Sequence, residues 1–190
     1  MWSLPSSEKS SVTGADERAL VRAAQGGSEA AVEELFRRHW PYTHRAAYLI
    51  VRDAAAAEDI AQEAFLSALS ALDRFDRRRA FAPWLHRIAV NRAIDWSRAR
   101  AVRHEMTAGD RLIDAVGAAP PAAVELERGG EVEAALAGLS AEHRAVIILR
   151  YLLDYTPGEI GRMLDLPRGT INSRLRRALD RLSGQLGEER

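Results

Sequence analysis

The sequence predicts an all-α protein made of two small helical domains joined by a flexible linker. Apolar residues recur at three- and four-residue spacing through most of the 190 residues, and no sustained period-two run indicates a strand. One central stretch loses this periodicity, and a chain of this length can form two small domains. We therefore expect a disordered tail at 1–15, a first domain at 16–103, a linker at 104–130 and a second domain at 131–186.

The first two helices are predicted from their caps. Asp16 is expected to cap a short helix that ends at the glycine pair 26–27. A second helix should start at Ser28 and run towards Arg52. Because proline lacks a backbone N–H and clashes with the preceding turn, this helix should be kinked or interrupted near Pro41.

A third and a fourth helix complete the first domain, with an arginine-rich loop at 73–80 between them. Asp53 can cap the third helix, which reaches about residue 72, and Pro83 suits the first turn of the fourth. Helical spacing predicts core-facing sides, formed by Ile60, Ala64, Phe65, Leu69 and Leu72 in the third helix and by Leu85, Ile88, Ala89 and Trp96 in the fourth. The opposite sides are polar, with Glu58, Asp59, Gln62 and Glu63 in the third helix and Arg87, Asn91, Asp95 and Arg98 in the fourth.

The linker at 104–130 is predicted from a polar stretch that glycines and a proline pair interrupt. Beyond it, an apolar segment at 132–139 opens the second domain. Ser140 is expected to cap the next helix. Its apolar positions are Val146, Ile147, Leu149 and Leu152.

The end of the second domain has the pattern of a helix-turn-helix. Thr156 and Glu159 form a capping box around Pro157, so a short helix to residue 164 should follow. After a break at 165–167, a last helix is expected from about Arg168, with an apolar stripe of Ile171, Leu175, Leu179 and Leu182. Its opposite stripe contains Asn172, Ser173, Arg176 and Arg177. Since arginine can pair with a guanine edge and asparagine with adenine, this stripe predicts contact with the DNA major groove.

The charge distribution favours a nucleic-acid partner although the formal net charge is zero. Residues 73–103 contain nine arginines against three aspartates, and residues 168–181 contain five arginines against one aspartate. Residues 105–133 carry seven acids against two arginines, so much of the negative charge lies in the connecting stretch. Both predicted DNA-contacting segments are therefore basic.

The composition argues against several other classes of protein. The chain has no cysteine, which removes disulfides and thiolate metal sites and favours a cytoplasmic location. No stretch approaches the roughly 20 apolar residues of a membrane span, so membrane insertion is not expected. No catalytic residue, metal site or cofactor is predicted, because the sequence lacks metal-binding, phosphate-binding and nucleophile motifs.

Several motifs resemble the extracytoplasmic-function (ECF) group of sigma-70 factors. Two motifs are similar to sigma region 2, at residues 57–65 (AEDIAQEAF) and 81–95 (FAPWLHRIAVNRAID). The resemblance to region 2 covers residues 19–103. Residues 149–151 (LRY), 159–161 (EIG) and 169–178 (GTINSRLRRA) are similar to region 4, which would cover 132–186. The order and separation of the motifs agree, and the chain has no convincing room for a region 3 domain. The resemblance implies a non-catalytic factor that directs promoter recognition and transcription initiation.

The resemblance also implies roles for matched residues. The surface that would dock on the clamp coiled coil of the β′ subunit of core RNA polymerase is formed by Glu58, Asp59, Gln62, Glu63 and Leu66. The residues that would bind and melt the minus-ten element are Asp76, Arg77, Arg78, Arg79, Arg87, Asn91, Arg92, Asp95 and Arg98. Captured bases and neutralised phosphates must there offset the lost base stacking. Trp84 and Trp96 are expected to pack in the core rather than on bases.

Region 4 of the family contacts the minus-thirty-five element and the β flap of the polymerase. The matched residues are Arg168, Gly169, Thr170, Asn172, Ser173, Arg174, Arg176 and Arg177, with Arg168 and Arg174 expected on phosphates. The sequence departs from the family pattern at Asn172, where lysine or arginine is common, and at Gly161, where alanine is usual. The second departure lowers helix propensity.

Two other classes of function stay open at this point. An ordinary helix-turn-helix regulator would bind DNA through the last helix without any polymerase. A metal-dependent enzyme would require a site built from His39, His44 and the acids of the third helix, although no H-E-x-x-H motif supports it. The family resemblance favours a sigma factor that answers a stress or envelope signal and that an anti-sigma factor holds inactive.

Overall fold

The computed structural model of the protein describes residues 9–108 and 129–187, and these ranges are helical with no strand. The first domain contains α1 (Lys9–Gln25), α2 (Glu29–Val51), α3 (Ala54–Ser70), a 3-10 turn (Leu72–Arg74) and α4 (Phe81–Ala108). The second contains α5 (Gly129–Ala137), α6 (Ala141–Tyr151), α7 (Pro157–Leu164) and α8 (Arg168–Gly187). The predicted all-α class is confirmed.

Three predicted N-caps are formed as expected. The Ser28 hydroxyl accepts a hydrogen bond from the backbone amide three residues later at 3.3 Å. Asp53 Oδ1 does the same at 3.0 Å, and Ser140 at 3.4 Å. Each cap satisfies an amide that has no partner inside its helix, so these helices begin where the sequence predicts.

Helices α1 and α2 differ from the sequence predictions. Helix α1 starts at Lys9, within the predicted tail, so Asp16 lies inside the helix, where its carboxylate accepts from Arg38 at 2.7 Å. Helix α2 continues through Pro41, which is exposed, so the missing N–H and the carbonyl it leaves free lie on the solvent side. The predicted cap at Asp16 and an interruption at Pro41 were therefore wrong.

The predicted linker overlaps both flanking helices. Helix α4 runs to Ala108, five residues into the range 104–130, and α5 begins at Gly129. The rest of that range, 109–128, lies outside the described residues, as do residues 1–8 of the predicted tail.

Aromatic side chains help to fill the core that α1, α2, α3 and α4 form in the first domain. Phe81 is 1% exposed, and its ring lies 6.0 Å from Phe75 and 5.8 Å from Trp84. Trp84 and Phe75 are 4.5 Å apart, so this tryptophan packs in the core. Trp96 packs at the edge of the second apolar cluster, under the guanidinium of Arg100.

The core of the second domain is continuous with apolar residues of the first. One apolar cluster continues from α2, α3 and α4 of the first domain into α5, α6, α7 and α8 of the second. Its fully buried members include Ile50, Val90, Leu149, Ile160 and Ile171. Helix α6 lies against α2 and α4, and α7 also touches α4. The two domains are therefore packed together.

Two leucines that the periodicity assigns to the core are exposed. Leu152 is 36% exposed because α6 ends at Tyr151 and the chain turns there. Leu179 is 41% exposed, since the second half of α8 extends beyond the helices that cover Ile171 and Leu175.

Candidate polymerase and DNA interfaces

Helices α7 and α8 form the helix-turn-helix. The Thr156 hydroxyl accepts from the Glu159 amide at 3.4 Å, and Glu159 Oε2 accepts from the Thr156 amide at 2.8 Å, which completes the predicted capping box. The Thr156 hydroxyl also donates to Glu159 Oε2 at 2.7 Å, and this hydrogen bond, with that from the Thr156 amide, lowers the pKa of the Glu159 carboxyl. Helix α7 ends at Leu164, and the next residue, Asp165, has a left-handed backbone with φ of 54°.

Gly161 sets the tight turn between these helices. The Leu166 amide donates to the Gly161 carbonyl at 2.8 Å. A Cβ atom at position 161 would lie 2.6 Å from the Leu166 carbonyl oxygen, which is closer than real Cβ atoms come to backbone. The turn therefore requires glycine at position 161, although alanine has the higher helix propensity.

Helix α8 turns a polar face to solvent. Ile171, Leu175 and Ala178 are buried beneath it. The exposed members of the predicted minus-thirty-five set are Arg168, Gly169, Asn172, Arg176 and Arg177, and the half-buried ones are Thr170, Ser173 and Arg174. The Ser173 hydroxyl donates to the Thr170 carbonyl at 2.9 Å. Two arginines and an asparagine are therefore exposed to solvent on one side of α8.

Helix α3 presents the predicted polymerase surface. Its residues Glu58, Asp59, Gln62, Glu63 and Leu66 are all exposed, and Leu66 is 66% exposed. The opposite side of the helix is buried, with Ala57, Ile60, Ala61 and Ala64 at its centre. A helix anchored in the core thus presents acids to solvent together with one large exposed apolar side chain.

Arg92 lies with this α3 surface rather than with the other predicted minus-ten residues. Its guanidinium binds Glu63 Oε2 at 2.6 Å and the Ser67 hydroxyl at 2.7 Å. Arg92 therefore joins α4 to α3 and orients Glu63.

The loop between the 3-10 turn and α4 exposes three arginines. Asp76 shapes it, because its carboxylate accepts from the Arg78 amide at 3.0 Å and its carbonyl accepts from the Arg79 amide at 2.9 Å. Arg77, Arg78 and Arg79 are exposed, as is Asp76 itself. The loop therefore offers positive charge on a turn whose backbone is fixed.

Helix α4 carries the remaining minus-ten residues along one stripe. Arg87 and Asp95 are exposed and Asn91 is half-buried. Arg98 ends the stripe, where its Nε donates to Glu142 Oε1 of α6 at 2.9 Å. Burial alone would raise the pKa of the Glu142 carboxyl, but the hydrogen bond from Arg98 lowers it. Arg98 is thus held by the second domain.

Three residues at the boundary between the domains were missed by the sequence reasoning. His86 Nδ1 lies 2.7 Å from the Tyr155 hydroxyl, and Arg144 Nε donates to the Ile50 carbonyl at 2.8 Å. Burial, with the charge of His39, lowers the pKa of His86 to about 4, and burial raises the pKa of Tyr155. Burial lowers the pKa of Arg144 to about 10. An arginine within the apolar run of α6 was the one available sequence signal.

The histidines of the hypothetical metal site have other neighbours. His39 Nε2 lies 3.0 Å from Glu17 Oε1, and His44 stacks on Trp40 with ring centroids 5.7 Å apart. Burial alone would raise the pKa of Glu17, but the hydrogen bond and charge of His39 lower it. Within the described ranges, no three histidines or acids are placed to hold a metal ion. No described helix is long and apolar enough to cross a membrane.

Comparison with known protein families matches both halves of the chain. Residues 35–103 match the model of Sigma-70 region 2, and residues 135–183 match that of Sigma-70, region 4. The ECF RNA polymerase sigma factor SigM of Mycobacterium tuberculosis is 36% identical over 168 residues, which cover 88% of this chain and 83% of the relative. SigW of Bacillus subtilis, another ECF sigma factor, is 31% identical and covers 87% of this chain and 94% of its own.

Solved structures give the same result for the fold. CnrH, in complex with the cytosolic domain of CnrY, aligns with a TM-score of 0.68 at 27% identity and covers 92% of this chain and 99% of its own. The sigma factor RpoE of Bartonella quintana, in complex with the anti-sigma factor NepR, aligns with a TM-score of 0.67 at 25% identity, covering 83% and 98%.

Proposed function

The chain belongs to the ECF sigma factors of the sigma-70 family, and we propose that it binds core RNA polymerase and directs promoter recognition and transcription initiation. The observation that carries this proposal is the combination, in one chain, of an exposed acidic face on α3 and a free arginine stripe on α8. Each lies within its matched sigma region. A DNA-binding regulator that works without polymerase has no use for the first surface.

Polymerase binding is assigned to both domains. The α3 face of Glu58, Asp59, Gln62, Glu63 and Leu66 would dock on the clamp coiled coil of β′, with the acids facing basic groups and Leu66 entering an apolar contact. The second domain would bind the β flap. Arg92 supports the first contact indirectly, because it fixes the side chain of Glu63.

DNA recognition is divided between duplex and unpaired DNA. Arg176, Arg177 and Asn172 would contact base edges of the minus-thirty-five element, with Arg168 and Arg174 on phosphates. The loop at 76–79 and the α4 stripe would hold the opened minus-ten element, where cations next to the backbone and captured bases offset the lost stacking.

The cellular setting follows from this role. The protein would act as a transcription factor without catalysis of its own, in the cytoplasm where core polymerase works. Two similar structures are complexes with the cytosolic domain of CnrY and with the anti-sigma factor NepR. By analogy, an anti-sigma factor would hold this protein inactive until a stress or envelope signal releases it.

Run-off transcription tests the proposal directly. Core polymerase with this protein should produce discrete transcripts from a subset of genomic fragments, and core polymerase alone should not. The aligned upstream sequences should share two elements. Binding of the protein to those fragments without polymerase, combined with no added transcripts, would support an ordinary helix-turn-helix regulator instead.

A further inference from the structure

The loop that carries Arg77, Arg78 and Arg79 is closed at its base by two buried rings. Phe75 precedes the loop and Phe81 follows it, and their ring centroids lie 6.0 Å apart. The two ends of the loop therefore meet at one place in the core of the first domain, while its arginines are exposed. The shape of the loop then depends on which neighbours fix the backbone at these two ends.

Helix α1 fixes the first end of the loop through its last residue, Gln25. The Gln25 Nε2 donates to the Leu72 carbonyl at 2.8 Å and to the Phe75 carbonyl at 3.1 Å. A side-chain amide has two N–H groups, so both are used here. One nitrogen thus ties the 3-10 turn and the residue before the loop to α1. Neither carbonyl can change direction without losing a hydrogen bond.

Helix α1 fixes the second end of the loop through Glu17. Its Oε2 accepts from the Phe81 amide at 3.3 Å, and its Oε1 lies 3.0 Å from His39 Nε2 of α2. Phe81 is the first residue of α4, so its amide has no partner within that helix. The Glu17 carboxylate therefore caps α4 from a distant part of the chain, and the positive end of the helix dipole favours its charge.

Val21 lies between these two anchors on α1. It is buried in the same apolar cluster as Phe75 and Phe81. Because Glu17, Val21 and Gln25 are spaced four residues apart, they lie on one side of the helix. That side of α1 thus contacts both ends of the loop. The match to Sigma-70 region 2 begins at residue 35, so none of these three residues lies within it.

We propose that Gln25 and Glu17 are positioning residues for minus-ten recognition. Neither touches DNA: they hold the two ends of the loop at 76–79, so that its arginines are already arranged when an unpaired base arrives. The inference rests on the proposed function. A loop that is ordered beforehand loses less conformational freedom on binding, which leaves more of the contact energy for affinity. Loss of an anchor therefore weakens the capture of unpaired DNA and leaves the α3 face and α8 unchanged.

Binding of the holoenzyme to an unpaired probe tests the role of Gln25. The probe is a fluorescein-labelled oligonucleotide with the non-template sequence of the minus-ten element, taken from a promoter found by run-off transcription. Gln25→Met keeps the length of the side chain but cannot donate, and should weaken probe binding about three- to tenfold. Ala19→Met places the same side chain at an exposed position of α1 and should bind as the parent does. All three proteins should bind core polymerase equally.

Two comparisons separate positioning from a general loss of stability. In an Arg78→Ala background, Gln25→Met should have a much smaller effect, because Gln25 acts through the loop. Glu17→Met should weaken probe binding as Gln25→Met does. Glu17→Gln keeps an oxygen for the Phe81 amide and should bind nearly as the parent does. A variant that only loosened the fold would lose polymerase affinity as well.

Trypsin cleavage examines the loop without polymerase. Free Gln25→Met should be cut after residues 77–79 at least about threefold faster than the parent, since a loop with one anchor fewer opens more often. Equal probe affinity in the parent and Gln25→Met would overturn the proposal, as would fully additive losses with Arg78→Ala. Failure of the parent to bind polymerase would instead refute the proposed function, and equal cleavage rates would then show separately that Gln25 does not anchor the loop.

Discussion

Gly161 is the residue at which the helix-turn-helix leaves no room for a side chain. Alanine would raise helix propensity by about 1 kcal/mol, but its Cβ would meet the Leu166 carbonyl. We predict that Gly161→Ala lowers the free energy of unfolding by about 1–3 kcal/mol, because the turn must shift. Urea unfolding followed by circular dichroism measures this change. Gly158→Ala, where nothing lies within 4 Å, is the control, and an equal gain in stability from both would contradict the explanation.

His86 makes stability depend on pH. The folded protein keeps it neutral, with its pKa lowered to about 4, while the unfolded chain binds a proton below about 6.5. Stability should therefore fall as pH decreases through this window, by about 2 kcal/mol between pH 8 and pH 5. Glu17, whose pKa is also lowered, adds a loss of the same sign at lower pH, below its ordinary value of 4.5.

Unfolding of the parent and of His86→Gln at pH 8 and pH 5 measures this effect. Glutamine can still hydrogen-bond Tyr155 but does not titrate, so the variant should lose about 2 kcal/mol less than the parent on acidification. The same loss in both proteins would show that other groups cause it.

At the scale of single elements, α3 is a rigid support for the polymerase contact. We predict that Asp59→Arg weakens binding to core polymerase by at least about tenfold, because a like charge would then face the basic partner surface. Asp59 is exposed and its change leaves the buried side of α3 intact. Glu33→Arg on α2, also exposed, is the matched charge reversal and should bind normally. A titration of labelled polymerase would refute the assignment if both variants bound alike.

Substitutions in α8 and in the minus-ten residues should impair different steps of transcription initiation. Arg176→Ala or Arg177→Ala should cost about 1–3 kcal/mol of duplex binding if the arginine contacts a guanine edge. Arg78→Ala or Asn91→Ala should leave upstream recognition nearly intact and reduce strand opening. Transcription from duplex and pre-melted promoters separates the two, since pre-melting should partly rescue only the second pair. Equal rescue of both pairs would refute this division.

At the scale of the whole molecule, local signals predicted more than long-range ones. The caps at Ser28, Asp53 and Ser140 and the capping box at Thr156 were correct because each depends on a few adjacent residues. The start of α1 was wrong because the helix continues upstream of Asp16 to Lys9, through a polar, serine-containing segment without apolar periodicity.

The contact between the domains could not be predicted from periodicity. An apolar stripe on α6 indicates that the helix is covered, but not that α2 and α4 of the first domain cover it. Arg144, His86 and Tyr155 acquire their roles only through that docking. The exposure of the polar sides of α3 and α8 was easier to predict, since it follows from helical periodicity within each helix.

Footprinting on one promoter tests the central claim that two DNA-contacting domains act together only under polymerase control. The holoenzyme should protect two patches centred about 25 base pairs apart, and Arg176→Ala should remove the upstream patch first. The free protein at the same concentration should protect neither patch. Protection of both patches by the free protein, as strong as that by the holoenzyme, would contradict the account.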